Sequence, residues 1–319
     1  MRPAPPAIEC RRLTKRFGSL VALDHLELAV EPGIVFGFLG PNGAGKTTAL
    51  RLLTALARPT DGSASIAGVP VGDGEPNRRG LIGYLDQDPR FPTWMTGREL
   101  LELIGLLYGM RGGMLRGRVA ETLELVGLAD AAKRRIGGYS GGMRQRLGLG
   151  QAILNRPPVL LLDEPVSALD PEGRHDILAA IRALAGSSTV LFSTHILSDA
   201  ERVCDRVAIL DHGRLLTEAP VSELLERYAQ PVYRLEPETG QEAKVALLEA
   251  SLRRVPGVTE VLATHDGLRV LTDDPAQSGP AVLAAVVEQG VALATFERLR
   301  PSLEEVFLRL TRAEREQAA

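Results

Sequence analysis

The sequence predicts an α/β fold with a mostly parallel sheet, followed by a smaller α+β domain. Between Ile8 and about Gly213, short continuous apolar runs alternate with helical stretches, which is typical of a parallel sheet covered on both faces. A glycine-rich loop lies between one of these runs and a helix. After Glu218 the pattern changes, and an Asp266-Gly267 pair between two alternating runs predicts a β-hairpin.

The elements of the first domain follow in order. The alternating segments "IECRRLTKRF" and "LDHLELAV" predict a small antiparallel addition at the start of the chain. The continuous runs "GIVFGFLG", "LIGYL", "PVLLLDE" and "STVLFSTH" predict buried parallel strands. Between them, at about residues 90–155, the apolar period is helical, which predicts an inserted helical subdomain. We assign residues 1–228 to this domain.

Residues 229–319 are predicted to form an accessory or dimerisation domain. Their order of strand, helix, two strands, helix, strand and helix is typical of a ferredoxin-like layout. From Gln230 onward the chain carries 14 acidic and 10 basic side chains, a net charge of −4. An RNA-binding sheet would need basic charge and exposed aromatic residues, so no nucleic-acid partner is expected.

The whole chain has the composition of a soluble globular protein. Its 319 residues carry a net charge of −3, without the basic excess that drives non-specific nucleic-acid binding. The N-terminal "MRPAPPAIEC" lacks the apolar core of a signal peptide. No apolar run approaches the roughly 18 residues that a membrane span needs. A membrane role is therefore expected only through a partner.

The glycine-rich segment, "GPNGAGKTT", fits the phosphate-loop pattern G-x-x-x-x-G-K-[ST]. Gly43 and Gly45 allow backbone N–H groups to converge on one phosphate, and the helix dipole strengthens that attraction. Lys46 supplies a charge for the β- and γ-phosphates, and Thr47 a hydroxyl for Mg²⁺. A chance glycine turn is disfavoured because a strand and a helix flank the segment. The predicted nucleotide-binding residues are Gly40, Pro41, Asn42, Gly43, Ala44, Gly45, Lys46, Thr47 and Thr48.

Polar residues that follow other buried strands are candidates for catalysis. Asp163 could hold Mg²⁺, and Glu164 could orient and deprotonate the attacking water. His195 could contact a γ-phosphate, and the Gln87 amide could bind Mg²⁺ or the water. Each residue alone has a simpler explanation: solvated acids that close a strand, a structural histidine and an ordinary loop glutamine. Similarly, Phe17 could stack on an adenine or could be a core aromatic.

A second candidate anion site lies in "YSGGMRQRL", where Ser140, Gly141 and Gly142 precede or open a predicted helix. Taken together in this order, these features resemble the nucleotide-binding subunit of an ATP-binding cassette (ABC) transporter over about Ile8 to Leu225. The resemblance matches Phe17 to the adenine-stacking aromatic, Gly40–Thr48 to the phosphate loop, Gln87 to the glutamine loop, Ser140–Gly142 to the signature, Asp163 and Glu164 to the acidic pair, "SALD" ending at Asp170 to the inter-subunit loop, and His195 to the switch histidine.

The resemblance implies an ATPase that uses ATP and Mg²⁺ and works as a head-to-tail homodimer. Each ATP would lie between one chain's phosphate loop and the other chain's signature, with Asp170 near the interface. A separate integral membrane permease would hold the subunit at the cytoplasmic face of the cell membrane. The signature and the closing "PSLEEVFLRLT" are similar to those of multidrug and daunorubicin-resistance exporters, which implies a drug, antibiotic or lipid-like substrate.

Two positions depart from the family's pattern. The signature ends in Met143 where glutamine is usual, and Asp86 precedes Gln87 where many relatives have proline. Because Ser140 and Gly142 remain, we expect activity to survive the first change. The second could alter the mobility of the glutamine loop.

A non-transport ABC ATPase that acts on nucleic acid or ribosomes is the alternative. Such proteins have a long coiled-coil insertion, two cassettes or basic arms, whereas this chain has one cassette, a short helical insert and an acidic tail. A phosphate-loop kinase or GTPase would not explain Ser140–Gly142.

The segment after Gln87 is the predicted permease contact. "DPRFPTWM" places Phe91, Trp94 and Met95 in a loop with two prolines, where large apolar groups favour burial against a partner helix. The competing interpretation is that all three pack inside the helical subdomain.

Overall fold

The chain divides into two compact units, Met1–Val221 and Ser222–Ala319. The computed structural model describes residues 5–72, 80–228, 232–273, 275–299 and 302–318. Within these ranges, none of the helices combines the length and apolar character that crossing a membrane requires.

The first unit alternates strands and helices in the predicted manner. Its elements are β1 (Ile8–Phe17), β2 (Leu20–Val30), β3 (Val35–Leu39), α1 (Lys46–Leu53), β4 (Asp61–Ile66), β5 (Val69–Pro70), β6 (Ile82–Leu85), α2 (Gly97–Leu107), α3 (Gly112–Leu125), α4 (Gly141–Ile153), β7 (Val159–Asp163), α5 (Pro171–Ala183), β8 (Thr189–Thr194), α6 (Leu197–Val203), β9 (Arg206–Asp211) and β10 (Arg214–Pro220).

These strands form two sheets. An antiparallel sheet has the order β2-β1-β4-β5, which confirms the predicted antiparallel addition, and a larger sheet has the order β10-β9-β3-β8-β7-β6. In the larger sheet β6, β7, β8, β3 and β9 are parallel, and only the edge strand β10 pairs antiparallel with its neighbour. The register pairs Leu39 with Thr194 and Asp163 with Ser193. The carboxyl ends of β3, β7 and β8 therefore meet at one edge of the sheet.

Both faces of the parallel sheet are buried, which explains the continuous apolar runs. Leu160 and Leu162 of β7 belong to a core that includes α2, α3 and α4. Val159 and Leu161 of the same strand belong to a second core, shared with α1 and the antiparallel sheet. Because successive strand residues point to opposite faces, every position of β7 is apolar until the strand ends at Asp163.

The structure separates the three residues of the predicted permease contact, because Phe91 and Met95 pack inside the subdomain, as the competing interpretation expected, and Trp94 does not. Met95 is only 7% exposed, and Phe91 packs against the same core. The Ile136 N–H donates to the Met95 carbonyl oxygen at 2.8 Å, which holds the loop against the following segment. Trp94 is 71% exposed and is the one member of the predicted patch that faces outward.

From Val221 onward the chain forms a four-stranded sheet with accompanying helices. Its elements are α7 (Val221–Tyr228), β11 (Val232–Pro237), α8 (Glu242–Leu252), β12 (Val258–Thr264), β13 (Gly267–Thr272), α9 (Pro275–Glu288), β14 (Leu293–Leu299) and α10 (Leu303–Ala318). The strand order is β12-β13-β11-β14, with every neighbouring pair antiparallel. The order of elements and the hairpin at Asp266-Gly267 are as predicted, and α9 includes Pro280.

A hydrophobic core on one face of this sheet stabilises the second unit. Side chains from β11, β12 and β13 pack there with Leu248 and Leu252 of α8 and Val282 of α9. Leu235 lies in this core and is completely buried, whereas Leu262 of the edge strand β12 is 42% exposed.

We expect Leu235→Ala to lower the free energy of unfolding by about 2–5 kcal/mol, because it removes buried apolar surface and leaves a cavity. The matched control Leu262→Ala should change it by no more than about 0.5 kcal/mol. Urea unfolding of the full chain, followed by circular dichroism, measures both variants. Equal effects of the two substitutions would contradict the placement of the core on this face.

Candidate nucleotide-binding site

The phosphate loop, Gly40–Thr48, connects the buried strand β3 to α1 in a conformation that depends on glycine. Gly40 and Gly45 have φ values of 154° and 102°. A Cβ on Gly40 would lie 2.3 Å from the Leu210 carbonyl oxygen, and one on Gly45 would lie 2.5 Å from that of Ala22. The backbone therefore approaches neighbouring strands too closely for any side chain. Pro41, Asn42 and Gly43 are exposed at the tip of the loop, while Thr47 and Thr48 are half-buried in the first turn of α1.

Lys46 is buried at the base of this loop, with 6% of its surface exposed. Its Nζ donates to the carbonyl oxygens of Gly40 and Pro41, at 2.6 and 3.1 Å. Burial lowers the pKa of Lys46, and the nearby charges of Glu164 and Asp163 oppose that shift. The loop thus holds a desolvated positive charge, and an anion interacts more strongly with such a charge than with one in bulk water.

Asp163, the last residue of β7, is completely buried, and one of its oxygens lacks a hydrogen-bond partner among the described residues. Its Oδ1 accepts from Ser193 Oγ at 2.5 Å, whereas the buried Oδ2 receives no hydrogen bond from any residue that the structure describes. A buried carboxylate oxygen is costly unless it is paired or coordinates a cation. Within the described ranges, no group of three or more His, Cys, Asp and Glu residues could hold a metal by itself. A single carboxylate beside a phosphate site fits Mg²⁺, which usually binds one or two carboxylates together with substrate phosphates.

Glu164 and His195 meet beside Lys46. Both carboxylate oxygens of Glu164 lie 3.0 Å from His195 Nδ1. One of them, Oε1, also lies 3.7 Å from Lys46 Nζ. Glu164 is 4% exposed, whereas 44% of the His195 side chain is exposed. The fold therefore brings the predicted lysine, acidic pair and histidine to one place, and the histidine lies at its solvent side.

Gln87 and Phe17 lie on the surface of the same unit. Gln87 is exposed in the loop after β6, and Phe17 ends β1 with 54% of its surface exposed. Lys15 Nζ is 5.0 Å from the centroid of the Phe17 ring, and this ring remains open for stacking. In the part of the chain that the structure describes, no hydrogen bond links either residue to Lys46, Asp163 or Glu164.

The signature segment, Ser140–Gly142, begins α4. Ser140 is exposed, and its Oγ accepts from the Met143 N–H at 3.2 Å as the helix N-cap. A Cβ on Gly142 would lie 2.9 Å from Leu169 Cδ2, so this glycine allows the helix to pack closely against the "SALD" segment. No hydrogen bond among the described residues joins Ser140 to the phosphate loop of its own chain. The signature segment therefore lies apart from the phosphate loop of its own chain, at the N-terminus of α4.

Asp170 caps the next helix. Its Oδ1 accepts from the Gly173 N–H at 3.0 Å at the start of α5, while the residue itself is exposed. The structure thus assigns one oxygen of Asp170 to helix capping.

Two residues that contact the acidic pair were missed at the sequence level. Ser193 bridges Asp163 and the Glu164 N–H, and the buried Gln145 donates to the Glu164 carbonyl oxygen. The available signals were positional: Ser193 lies two residues before His195, and Gln145 follows the signature segment in the same helix.

A phosphate loop, an acidic pair at a strand end and a separate signature helix define a nucleotide-hydrolysing cassette. Comparison with known proteins leads to the same class of protein. Residues 23–167 match the family model described as "ABC transporter", and residues 220–311 match "ATP-binding protein DrrA1-3-like, C-terminal domain".

Several relatives match over nearly the whole chain. An uncharacterized ABC transporter ATP-binding protein of Bacillus subtilis is 39% identical over 94% of this chain and 98% of the relative. The daunorubicin/doxorubicin resistance ATP-binding protein of Streptomyces peucetius is 38% identical, over 96% of this chain and 92% of the relative. A Nod factor export ATP-binding protein of Rhizobium sp. (strain N33) is 36% identical, over 97% of this chain and 98% of the relative.

Solved structures of ABC cassettes match about two thirds of the chain. A dimeric post-hydrolysis cassette bound to ADP and Pi has a TM-score of 0.62 at 28% identity, and the match covers 67% of this chain and 98% of that chain. A dimeric bacterial ABC transporter cassette also has a TM-score of 0.62, at 29% identity and with the same coverage. The chain belongs to the ABC transporter family, as an ATP-binding subunit with a DrrA-like C-terminal domain, and it is an ATPase.

We expect Lys46→Ala to weaken ATP binding by about 10- to 100-fold, the equivalent of losing one or two hydrogen bonds to a charged group. Arg51→Ala, at an exposed position of the same helix, is the matched control. Titration of a fluorescent ATP analogue measures both variants. Unchanged affinity in the lysine variant would show that Lys46 does not bind the phosphates.

Proposed function

We propose that the chain powers export of a drug, antibiotic or lipid-like substrate through a separate integral membrane permease, at the cytoplasmic face of the cell membrane. The observation that carries the ATPase part is the cluster of Lys46, Asp163, Glu164 and His195 at the carboxyl ends of the parallel strands. The export part is supported by relatives named for daunorubicin resistance and Nod factor export, which match over more than nine-tenths of this chain.

ATP would bind with its phosphates on the loop Gly40–Thr48 and its adenine against the exposed ring of Phe17. Mg²⁺ would be held by the Thr47 hydroxyl, the unpartnered Oδ2 of Asp163 and the Gln87 amide oxygen. When bound, the cation neutralises charge on the β- and γ-phosphates. Lys46 adds a second positive charge from the protein side.

Glu164 would orient the attacking water and accept its proton. An ionised carboxylate can only accept hydrogen bonds, so His195 Nδ1 donates to Glu164 across the 3.0 Å contact. This contact fixes the carboxylate and the ring relative to each other. In the protonated form of the ring, Nε2 can donate to the γ-phosphate.

Two copies of the chain would pair head to tail around two ATP molecules. The Ser140 hydroxyl and the N–H groups of Gly141 and Gly142 would face the γ-phosphate of ATP held by the partner, and Asp170 would lie near the interface. In support, Ser140 is exposed, Gly141 and Gly142 are half-buried, and the segment forms no hydrogen bond with its own phosphate loop within the described residues. ATP binding would draw the dimer together, and hydrolysis would release it.

The permease would dock on the loop that follows Gln87, with Trp94 as its anchor. A tryptophan that is 71% exposed is unusual on a surface without a partner, and Trp is prominent among the residues that dominate interface energies. Phe91 and Met95, in the same loop, pack against the core of the first unit and would support the loop's shape.

Glu164→Gln should retain ATP binding and slow hydrolysis by at least ~10²-fold, because the amide cannot accept the proton. The variant should also accumulate as an ATP-bound dimer. Phosphate release assays and size-exclusion chromatography with ATP test both statements. Near-normal turnover would rule out Glu164 as the base.

Mixing a Lys46→Ala subunit with a Ser140→Arg subunit tests whether the signature acts across the interface. In the head-to-tail arrangement one composite site receives both lesions and the other stays intact, so heterodimers should recover hydrolysis. Each homodimer has a lesion in both sites and serves as a control. Heterodimers that assemble without any recovery would contradict the arrangement.

Trp94→Ala should weaken permease binding by about 1–3 kcal/mol because it removes an apolar anchor. Leu56→Ala, at another exposed apolar position of the first unit, is the control. The tagged chain is used to recover its membrane protein from detergent-solubilised membranes, and the recovered multi-span protein is identified and quantified for each variant.

The melting temperature and ATP affinity of the Trp94 variant should remain unchanged. Full permease binding by a normally folded variant would exclude Trp94 as the anchor. A lower melting temperature would instead show that Trp94 contributes to the helical subdomain.

A further inference from the structure

The backbone of Glu164 adopts a left-handed conformation that residues other than glycine rarely take. Its φ is 47°, and in this region a Cβ atom crowds the adjacent carbonyl oxygen. Such a conformation persists only where surrounding contacts over-determine it. The contacts that hold the backbone of Glu164 are therefore also contacts that aim its carboxylate.

Side chains from two other elements hold the peptide groups on either side of Glu164. Ser193 Oγ accepts from the Glu164 N–H at 3.0 Å and donates to Asp163 at 2.5 Å. Gln145 Nε2 donates to the Glu164 carbonyl oxygen at 3.3 Å. The same oxygen accepts from Ser167 Oγ and N–H, at 3.1 and 3.2 Å, but these contacts come from the same turn. Gln145 is thus the contact that ties this carbonyl to a distant element.

That distant element is α4, the helix that begins with the signature segment. Gln145 is 2% exposed, so a lost hydrogen bond would leave a buried polar group that water does not easily reach. One helical turn earlier, Gly142 packs against Leu169, in the loop that follows Glu164. A displacement of α4 would therefore act on this loop at two points.

We propose that Gln145 is a positioning residue for Glu164 and thereby couples the two ATP sites of the dimer. This inference rests on the proposed function, in which the signature segment binds the partner's ATP while Glu164 acts on ATP in its own phosphate loop. Helix α4 spans these two sites within one chain. It provides a continuous physical connection, through a buried hydrogen bond, between the γ-phosphate of one site and the base of the other.

Gln145→Met keeps the length and approximate volume of the side chain but removes the donor. We expect kcat for ATP to fall about 10- to 100-fold, because a slightly misplaced base costs that much. KM should stay within about twofold, because Gln145 donates to the Glu164 carbonyl oxygen and is not among the residues proposed to bind the nucleotide. Gln151→Met, the same change at a half-buried position of α4, should leave both constants unchanged. Gln145→Asn, which is too short to reach the carbonyl, provides a second variant in case methionine prevents folding.

Heterodimers with one competent site show which chain Gln145 serves. One subunit carries Lys46→Ala, so the remaining site uses the partner's phosphate loop and Glu164. Gln145→Met should slow this site when placed in the chain that supplies Glu164, and should not when placed in the chain that supplies the signature. The reverse result, or no slowing from either placement, would overturn the positioning role.

The coupling between the two ATP sites is measured separately, by the Hill coefficient for ATP. The Hill coefficient for ATP should exceed one in the wild-type homodimer and fall towards one in Gln145→Met. A coefficient that the variant does not change would overturn the coupling. Glu164→Gln in the same assays separates the two proposals: normal turnover would refute the proposed function, whereas lost turnover beside an unaffected Gln145→Met would refute only this inference.

Discussion

The site depends on the proximity of one buried positive charge, on Lys46, to two buried carboxylates, on Asp163 and Glu164. Lys46, Asp163 and Glu164 are between 0% and 6% exposed, and burying any one of them alone would cost several kcal/mol. The strand order β3-β8-β7 makes their compensation possible, because it places β8 between the phosphate loop and the acidic pair. Ser193 at the end of that central strand and His195 directly after it contact the carboxylates of Asp163 and Glu164, and Ser193 also accepts from the Glu164 N–H.

The phosphate loop and the polar residues at the strand ends were predictable from the sequence, because the local pattern and the geometry of a parallel sheet agree. The phosphate loop has a recognisable spacing, and the carboxyl ends of parallel strands must meet at one edge, so Asp163 and His195 were expected near Lys46. Ser193 and Gln145 could not be found in this way. Their partners include the N–H and the carbonyl of Glu164. Every residue has a backbone carbonyl, and every residue but proline has an N–H, so these partners cannot be recognised in the sequence.

Burial within the segment that follows Gln87 was equally hard to predict. Phe91, Trp94 and Met95 lie in a loop without a period that separates an inner from an outer face. Their burial depends on contacts from far along the chain, including the bond from Ile136 to Met95 and the bridge between Thr96 and Arg135. In the second unit, the Asp266-Gly267 pair is a local turn signal between two strands, and there the predicted order of elements was correct.

The N-cap of α4 shows which group of residue 143, the last position of the signature, contributes to the start of the helix. Ser140 accepts its hydrogen bond from the backbone N–H of Met143, and the Met143 side chain packs against the core of the helical subdomain. The amide N–H is common to all residues except proline, so methionine supplies it as well as glutamine does. The serine oxygen is fixed by this bond while its proton remains available to donate. In the proposed dimer, the main chain would therefore preorganise this helix end for the partner's phosphate, and the side chain at position 143 is left to serve packing.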